Sequence, residues 1–315
     1  MPGLIEKPID PPEYILGANS PIVKGKINES ANWESYLPST EKQRFVSPDS
    51  RKYVETMGCV SFSYNNAIEI LLKFTLGKEY SYSNRFLTKE SGTTRRGNWL
   101  QKVCETAREK GVCHEEVWPY PYEGCEYTWE DYYADVSNEA LYEAWRIHGK
   151  IEHEWVERKD WKDALKYSPL QVTVWAWELG DDGLYRNSLS MQNHAVVLIG
   201  YDGEKPIIFD TYDPFIKKLS PDHKMGIYAK SFNIKKPVTM EFKEKVIYKA
   251  AVNGAMRVGF VLNGRMVSNV DEQDKFNVIM EAVSRGCEFS SNGIKTISQE
   301  NWDSISRINL KGDII

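Results

Sequence analysis

The five cysteines of this 315-residue sequence, Cys59, Cys104, Cys113, Cys125 and Cys287, are odd in number, and no two stand in a Cys-x-x-Cys arrangement. His114 beside Cys113 completes no zinc pattern, so neither a structural metal site nor any cofactor is expected. Histidine is equally scarce, at five. No stretch approaches the roughly 18 apolar residues that cross a bilayer. There is no long basic run, and the net charge is −5, which argues against nucleic acid or an anionic membrane surface as a partner. The opening MPGLIEKPIDPPEYILG has no basic segment followed by an apolar one, so a signal peptide is not expected. The expected setting is cytoplasmic and reducing, with free thiols.

What the chain has in quantity is material for a core. Apolar residues make up 41% and aromatic residues 12%, a globular composition rather than a disordered one. The length suits one large domain, or one domain with an appendage. Residues 1–30 are rich in Pro and Gly without period and read as an N-terminal arm, extended on the surface or flexible. Residues 38–58 carry two prolines among polar residues and read as irregular. Helical spacing begins at Cys59, with Phe62, Ala67, Ile70, Leu71 and Phe74 largely on one face, and should end near Leu76 at a Gly77 cap. A short helix is expected over Ser83–Lys89, and an amphipathic one from Trp99 through Ala107, ended by Gly111. Trp118-Pro119-Tyr120-Pro121-Tyr122 cannot be helix interior. Helices are expected again over Ser137–His148 and, capped by Asp160, over Trp161–Tyr167.

From Leu170 the period switches to two. Strands are expected over Leu170–Trp177, Ala195–Ile199 and Ile207–Phe209, with Asp202-Gly203 as a hairpin turn. Helices in front and strands behind indicate an α+β fold. Lys235-Lys236-Pro237 looks like a boundary. Beyond it, residues 235–315 read as a small α/β extension, with strands over Val246–Ala251 and Met256–Leu262, a turn at Asn263-Gly264 and a helix over Phe276–Val283.

Three residues carry a possible chemistry. Cys59 falls in the first turn of a buried helix, where unpaired N–H groups and the positive end of the dipole favour a thiolate. His194 stands at the start of the Val196–Ile199 strand, and Asp210 at the end of the next one. A hairpin through Gly203 would return Asp210 to His194. A cysteine nucleophile needs an imidazole to exchange protons with, and the imidazole needs an oxygen acceptor to fix its ring. Each residue alone also has a plain reading: a small core thiol, a hydrogen-bonded core histidine and a turn-forming aspartate.

With these three in order, the chain resembles the papain-like cysteine peptidases, the cathepsin superfamily, over residues 31–234. ANWESYLP looks like the start of a mature domain of that family. Cys59-Val60-Ser61-Phe62-Ser63 is similar to its Cys-Trp-Ala-Phe-Ser. The run from Asn98 through EKGVCHEEVWPY looks like its Gly-rich loop, helix and tyrosine-proline-tyrosine segment. SPLQVTV resembles its Gly-Pro-Val strand, NHAVVLIGYD its histidine segment, and FDTY stands at its Lys-Asn-Ser-Trp. Cys59 lies 135 and 151 residues before His194 and Asp210, close to the roughly 130–150 of the papain type.

The resemblance implies a helical and a sheet subdomain with the active site between them, and peptide or protein substrates. Cys59 would be the nucleophile paired with His194, and Asp210 would replace a ring-orienting asparagine and raise the pKa of His194. The Cys59 N–H would form half of an oxyanion hole, Gly97 and Asn98 would lie along the substrate backbone, and Ala195 would border a side-chain pocket. The chain also departs from the family. Six residues before Cys59, where the family has its oxyanion glutamine, stands Tyr53; Gln43, Glu55 and Thr56 are the candidates nearby. Val60 and Tyr212 replace two tryptophans, the flanking disulfide cysteines are absent, and the leader is too short for the usual proregion. Such departures resemble bacterial or phage-encoded members. Two further readings stay open: amide hydrolysis on cell-wall peptides with the same dyad, and an inactive papain fold that serves in binding or assembly, its C-terminal extension holding a partner.

Overall fold

The computed structural model describes Leu4, residues 26–147, 150–188 and 192–234, and the backbone of strands within 245–310. The chain divides into two compact units, Met1–Lys235 and Lys236–Ile315. Most of the 1–30 arm, the 235–237 boundary, the Asn263-Gly264 turn, the Phe276–Val283 helix and Cys287 lie outside the described residues.

An early anchor of the first unit is Trp33, fully buried. Its indole N–H donates to the Leu165 carbonyl at 2.8 Å, and its ring meets Phe74 edge-on at 5.1 Å. A 3-10 turn (Glu34–Tyr36) leads to strands β1 (Arg44–Val46) and β2 (Tyr53–Glu55), an antiparallel hairpin. Residues 38–58 are therefore not irregular throughout. The strands are only three residues long, with Val46 and Tyr53 facing solvent, too short for a period of two to stand out in the sequence.

Helix α1 (Cys59–Leu76) ends at Gly77, whose φ of +68° closes the cap with an N–H to the Lys73 carbonyl. It is buried around almost its whole circumference, which places it at the centre of the unit. Even Glu69 is buried; its carboxylate accepts from the Tyr82 N–H at 2.6 Å, and burial holds its pKa well above the usual carboxylate range. Around α1 pack α2 (Asn84–Glu90), with Ser83 as N-cap, and α3 (Leu100–Lys110). Gly111 ends α3 at a φ of +84°, and a Cβ there would stand 1.6 Å from the Ala144 carbonyl oxygen. Only glycine fits that approach. Helices α4 (Trp129–Tyr132) and α5 (Asn138–Ile147) follow.

A strand that acidic residues disguise in the sequence, β3 (Ile151–Glu157), opens the sheet. Helix α6 (Trp161–Ala164) is shorter than expected: single turns continue to Ser168, and Asp160 makes no side-chain cap bond. Then come β4 (Leu170–Val174), β5 (Trp177–Leu179), β6 (Tyr185–Asn187), β7 (His194–Asp202), β8 (Lys205–Phe209), β9 (Ile216–Lys218) and β10 (Tyr228–Ile234). The Leu170–Trp177 run thus splits, because the chain leaves the sheet after Val174 and Trp177 starts a separate two-stranded ribbon, β5–β6. The main sheet is antiparallel in the order β3-β10-β4-β7-β8-β9. Every residue of β4 is buried rather than alternating, since it lies inside the sheet and its polar members have partners. Gln171, for one, donates to the Val60 carbonyl and to Ser63 Oγ of α1. Helices in front and an antiparallel sheet behind make an α+β, papain-like fold.

The second unit contains a four-stranded antiparallel sheet, in the order β13 (Arg265–Val267), β12 (Ala255–Leu262), β11 (Lys245–Val252), β14 (Ile308–Leu310).

Candidate active site

Helix α1 packs against β7, and each element presents its first residue. Cys59 is the first residue of α1 and His194 the first of β7. The turn into α1 is tight. Met57 takes a φ of +56°, and a Cβ on Gly58 would lie 2.9 Å from Thr88 Oγ1 and 3.2 Å from Thr56 Oγ1. Such left-handed backbone at a non-glycine residue is strain that the surrounding structure must hold. Cys59 is a free thiol, fully buried, and its N–H, at the first helical position, has no carbonyl of its own helix to donate to. Gln171, reaching from β4 to the Val60 carbonyl at 2.7 Å, pins this first turn to the sheet.

His194 is fixed from both edges. Its Nε2 lies 2.6 Å from Asp210 Oδ1, and the Cys59 thiol is near enough to act on the ring. With Nε2 engaged by the carboxylate, Nδ1 is the nitrogen left for the thiol. The ring is bracketed by Trp177, edge-on at 5.5 Å, and by Tyr212 at 5.5 Å. Asp210 returns to it because β7 and β8 form a hairpin through Gly203, φ +61°, with Phe209 opposite Val197. Burial works against a charged His194. The Asp210 charge and hydrogen bond, followed by those of Cys59, outweigh it and push the pKa up to about 10. Burial likewise pushes Asp210 up, but the His194 charge and hydrogen bond, then those of Lys217, bring it below the usual aspartate value.

Lys217 on β9 is a residue that sequence reasoning does not single out. In Ile216-Lys217-Lys218 it reads as one of two solvated lysines, yet its side chain is 1% exposed. Its Nζ reaches Asp210 Oδ2 at 2.7 Å, the Tyr212 carbonyl at 2.6 Å and the Pro214 carbonyl at 2.5 Å. Trp177 is the second such residue: its ring touches both His194 and the Lys217 ammonium, the latter at 5.1 Å.

Of the three oxyanion candidates, Gln43 enters the site through a link that counting along the chain does not show. The β1–β2 hairpin closes at its base with Thr56 N–H donating to the Gln43 carbonyl at 3.1 Å, so Gln43 stands beside the turn into α1. Its Oε1 accepts from Thr211 Oγ1 at 3.0 Å, and its Nε2 donates to Glu55 Oε1 at 2.9 Å and Tyr212 Oη at 2.7 Å. Glu55 accepts through both oxygens, the second from Tyr212 at 2.9 Å. Thr56 Oγ1 accepts from the Gly58 N–H at 3.2 Å. Tyr53, at the family spacing, is 59% exposed on the hairpin.

Gly97 has a φ of +91°, and Asn98 turns its amide inward to the Ser91 carbonyl and to Ser91 and Thr93 hydroxyls. The Asn98 backbone pairs in parallel with Leu4, which is itself buried. Ala195 follows His194 on β7, buried and opposite Thr173. Among the described residues no cluster of three or more His, Cys, Asp or Glu forms a metal cage, and no helix is long and apolar enough to cross a membrane.

A buried thiol at a helix start, an imidazole across from it and a carboxylate behind the imidazole define the thiol-hydrolase class of site. A sequence model described as papain family cysteine protease matches residues 42–226, which contain all three groups. The chain belongs to the papain family of cysteine proteases. It is also similar to solved structures of that kind. One is the digestive procathepsin L 3 of the Tenebrio molitor larval midgut, 15% identical with a TM-score of 0.43, covering 67% of this chain and 76% of that one. A second is a Carica candamarcensis cysteine protease in complex with E-64, 14% identical with a TM-score of 0.46, covering 65% and 98%. A third is the bromelain protease of Ananas comosus in complex with the E64 inhibitor, 15% identical with a TM-score of 0.44, covering 64% and 97%. No curated protein matches the chain.

Proposed function

We propose that this chain is an active cysteine peptidase that hydrolyses peptide bonds through a thioacyl-enzyme on Cys59. The observation that carries this reading is His194, held by Asp210 at 2.6 Å and close enough to the Cys59 thiol for the two to interact.

The chemistry follows from that order. The Cys59 thiolate adds to the scissile carbonyl carbon, and negative charge builds on the carbonyl oxygen. The N–H of Cys59 and one N–H of Gln43 donate to that oxygen. Glu55 is held as an acceptor on both oxygens, and Thr56 Oγ1 is turned to the Gly58 N–H, which makes Gln43 the donor of the three. Both Gln43 N–H groups are committed to Glu55 and Tyr212 in the free protein, so the substrate takes one of them over. The C–N bond then breaks, the imidazolium of His194 gives its proton to the leaving amine, and a thioester remains on Cys59. Water attacks the thioester, His194 takes its proton, and the C–S bond breaks to release the acid and restore the thiolate–imidazolium pair. Gly97 and Asn98 supply backbone groups to the bound peptide, and Ala195 borders the pocket for the side chain before the scissile residue. The free thiols of Cys59, Cys104, Cys113 and Cys125 support a reducing compartment.

The test is a peptide carrying a thiol-alkylating group, with the adduct mapped by mass spectrometry. Selective labelling of Cys59, lost in His194→Ala, is the expected result; labelling of Cys59 no greater than that of the other cysteines overturns the reading. An inactive binding module is the second reading. The doubly committed Gln43 amide favours it, and it predicts no labelling of Cys59 beyond that of the other thiols and no turnover of peptide.

A further inference from the structure

We propose that Lys217 is a positioning residue of this site: its buried ammonium offsets part of the charge of Asp210, so that the carboxylate orients His194 while holding its proton less tightly than it would alone. The inference rests on the reading above and concerns its second half, the return of His194 to a neutral base.

The geometry is specific. An ammonium has three N–H donors, and those of Lys217 reach Asp210 Oδ2, the Tyr212 carbonyl and the Pro214 carbonyl, all within one loop. Asp210 is divided in the same way. Oδ1 faces His194 and the Thr211 N–H, and Oδ2 faces Lys217. Lys217 therefore contacts the carboxylate from behind without touching the imidazole. Both side chains are all but sealed from water, at 1% and 0% exposure, so solvent does not screen the pair. Trp177 contacts both cations of the site, the His194 ring edge-on and the ammonium at 5.1 Å, and Tyr185 lies 5.6 Å from the ammonium.

The other titratable or charged groups that face this pair are Cys59 on α1, Glu55 on β2, Tyr185 on β6, Tyr212 and Asp213 in the loop, and His223 across Trp177. Asp213 is turned outward to Lys42 at 2.5 Å.

On the reading above, the charges in the resting site alternate: thiolate, imidazolium, carboxylate, ammonium. They sum to zero. Acylation removes the first, and transfer of the proton to the leaving amine removes the second. What remains is a neutral imidazole that has to take a proton from water. Faced with a bare buried carboxylate, that imidazole would acquire a proton from solvent at neutral pH and lose its capacity as a base. Faced with a carboxylate whose charge Lys217 partly offsets, and with the Cys59 charge gone, it stays neutral to lower pH. The same logic ranks the variants by net charge behind the imidazole. Lys217→Gln leaves one excess negative charge, Asp210→Asn one excess positive charge, and the double variant none.

The experiment follows p-nitrophenyl acetate hydrolysis by the full chain and by these three variants, with Cys59→Ala as the background. The nitrophenolate burst reports acylation of Cys59 and the steady rate reports deacylation. For Lys217→Gln the burst should persist, while the steady rate at pH 7 falls about 10- to 100-fold and its acid limb moves up by about one to two pH units. Asp210→Asn should move the limb down. Asp210→Asn/Lys217→Gln should return it to within about half a unit of the wild-type position. A limb that stays put in Lys217→Gln, or a double variant no better than Lys217→Gln, overturns the inference and leaves Lys217 a structural staple. Should circular dichroism show Lys217→Gln unfolded, the opposite shift in Asp210→Asn and its cancellation in the double variant decide the matter alone. A wild-type chain without a burst above Cys59→Ala refutes the peptidase reading instead.

Discussion

Replacing Gln43 by leucine tests whether that side chain stabilises the transition state or merely ties the hairpin to the loop. Leucine matches glutamine in bulk, so the buried site stays filled while three hydrogen bonds vanish: to Glu55, to Tyr212 and from Thr211. At about 0.5–1.5 kcal/mol each, their loss costs about 2–4 kcal/mol of stability, less whatever Glu55 and Tyr212 keep by holding each other at 2.9 Å. For a unit of this size that is a melting point lower by about 5–15 °C. The catalytic effect is separate and larger. Loss of one oxyanion donor lowers kcat/KM on a peptide substrate by about 10²- to 10³-fold. Alkylation of Cys59 by iodoacetamide develops no oxyanion, so its rate should stay within about threefold of wild type. The assay is therefore paired: peptide turnover and iodoacetamide labelling, both at a temperature where the variant is folded. Turnover within a few-fold of wild type would refute the donor role. So would parallel losses of turnover and labelling, which would mean that Gln43 shapes Cys59 itself.

Three other outcomes follow from the same contacts. Gly58→Ala would push a methyl to within 2.9 Å of Thr88 Oγ1 and 3.2 Å of Thr88 Cγ2, costing about 1–3 kcal/mol; Gly58→Ala/Thr88→Ala should recover most of the melting temperature and of the Cys59 labelling. Trp33→Ala removes a fully buried ring and its bond to Leu165, an expected loss of about 3–5 kcal/mol in a denaturant titration. The third concerns pH. His194 is raised to about 10 from 6.5, and Glu41 is raised by burial, against its bonds to Asn84 and Ser81, to about 7 from 4.5. Both folded values lie above the unfolded ones, so each contribution is complete below the unfolded value and is lost as pH climbs through the folded one. Stability should fall between pH 4.5 and 7 through Glu41 and between 6.5 and 10 through His194. Glu41→Gln should flatten the first decline and leave the second, and a melt series against pH that shows the reverse would contradict this assignment.

Helix α1 was readable from sequence because apolar spacing and a terminal glycine agree, and the β7–β8 hairpin because Gly203 sits between two apolar runs. The three central residues of the site were readable by order and residue type. Strand β3 was hidden because Glu152, Glu154 and Glu157 dilute its apolar positions. Gln43 escapes a count of six residues back from Cys59, since spacing along the chain equals spacing in space only where no hairpin intervenes. Lys217 was invisible for a different reason. A lysine in a three-residue strand reads as a solvated charge, and only the fold reveals that the strand turns it toward a buried carboxylate.

The bond between Thr56 and the Gln43 carbonyl has a consequence for how such a site can change over time. It closes the β1–β2 detour at its root, so Cys59 and Gln43 keep their separation whatever length of chain runs between them. Residues 47–52, the turn between the two strands, then form a port: a loop, a recognition ribbon or a whole module can be spliced in there while Gln43 and Glu55 keep their contacts.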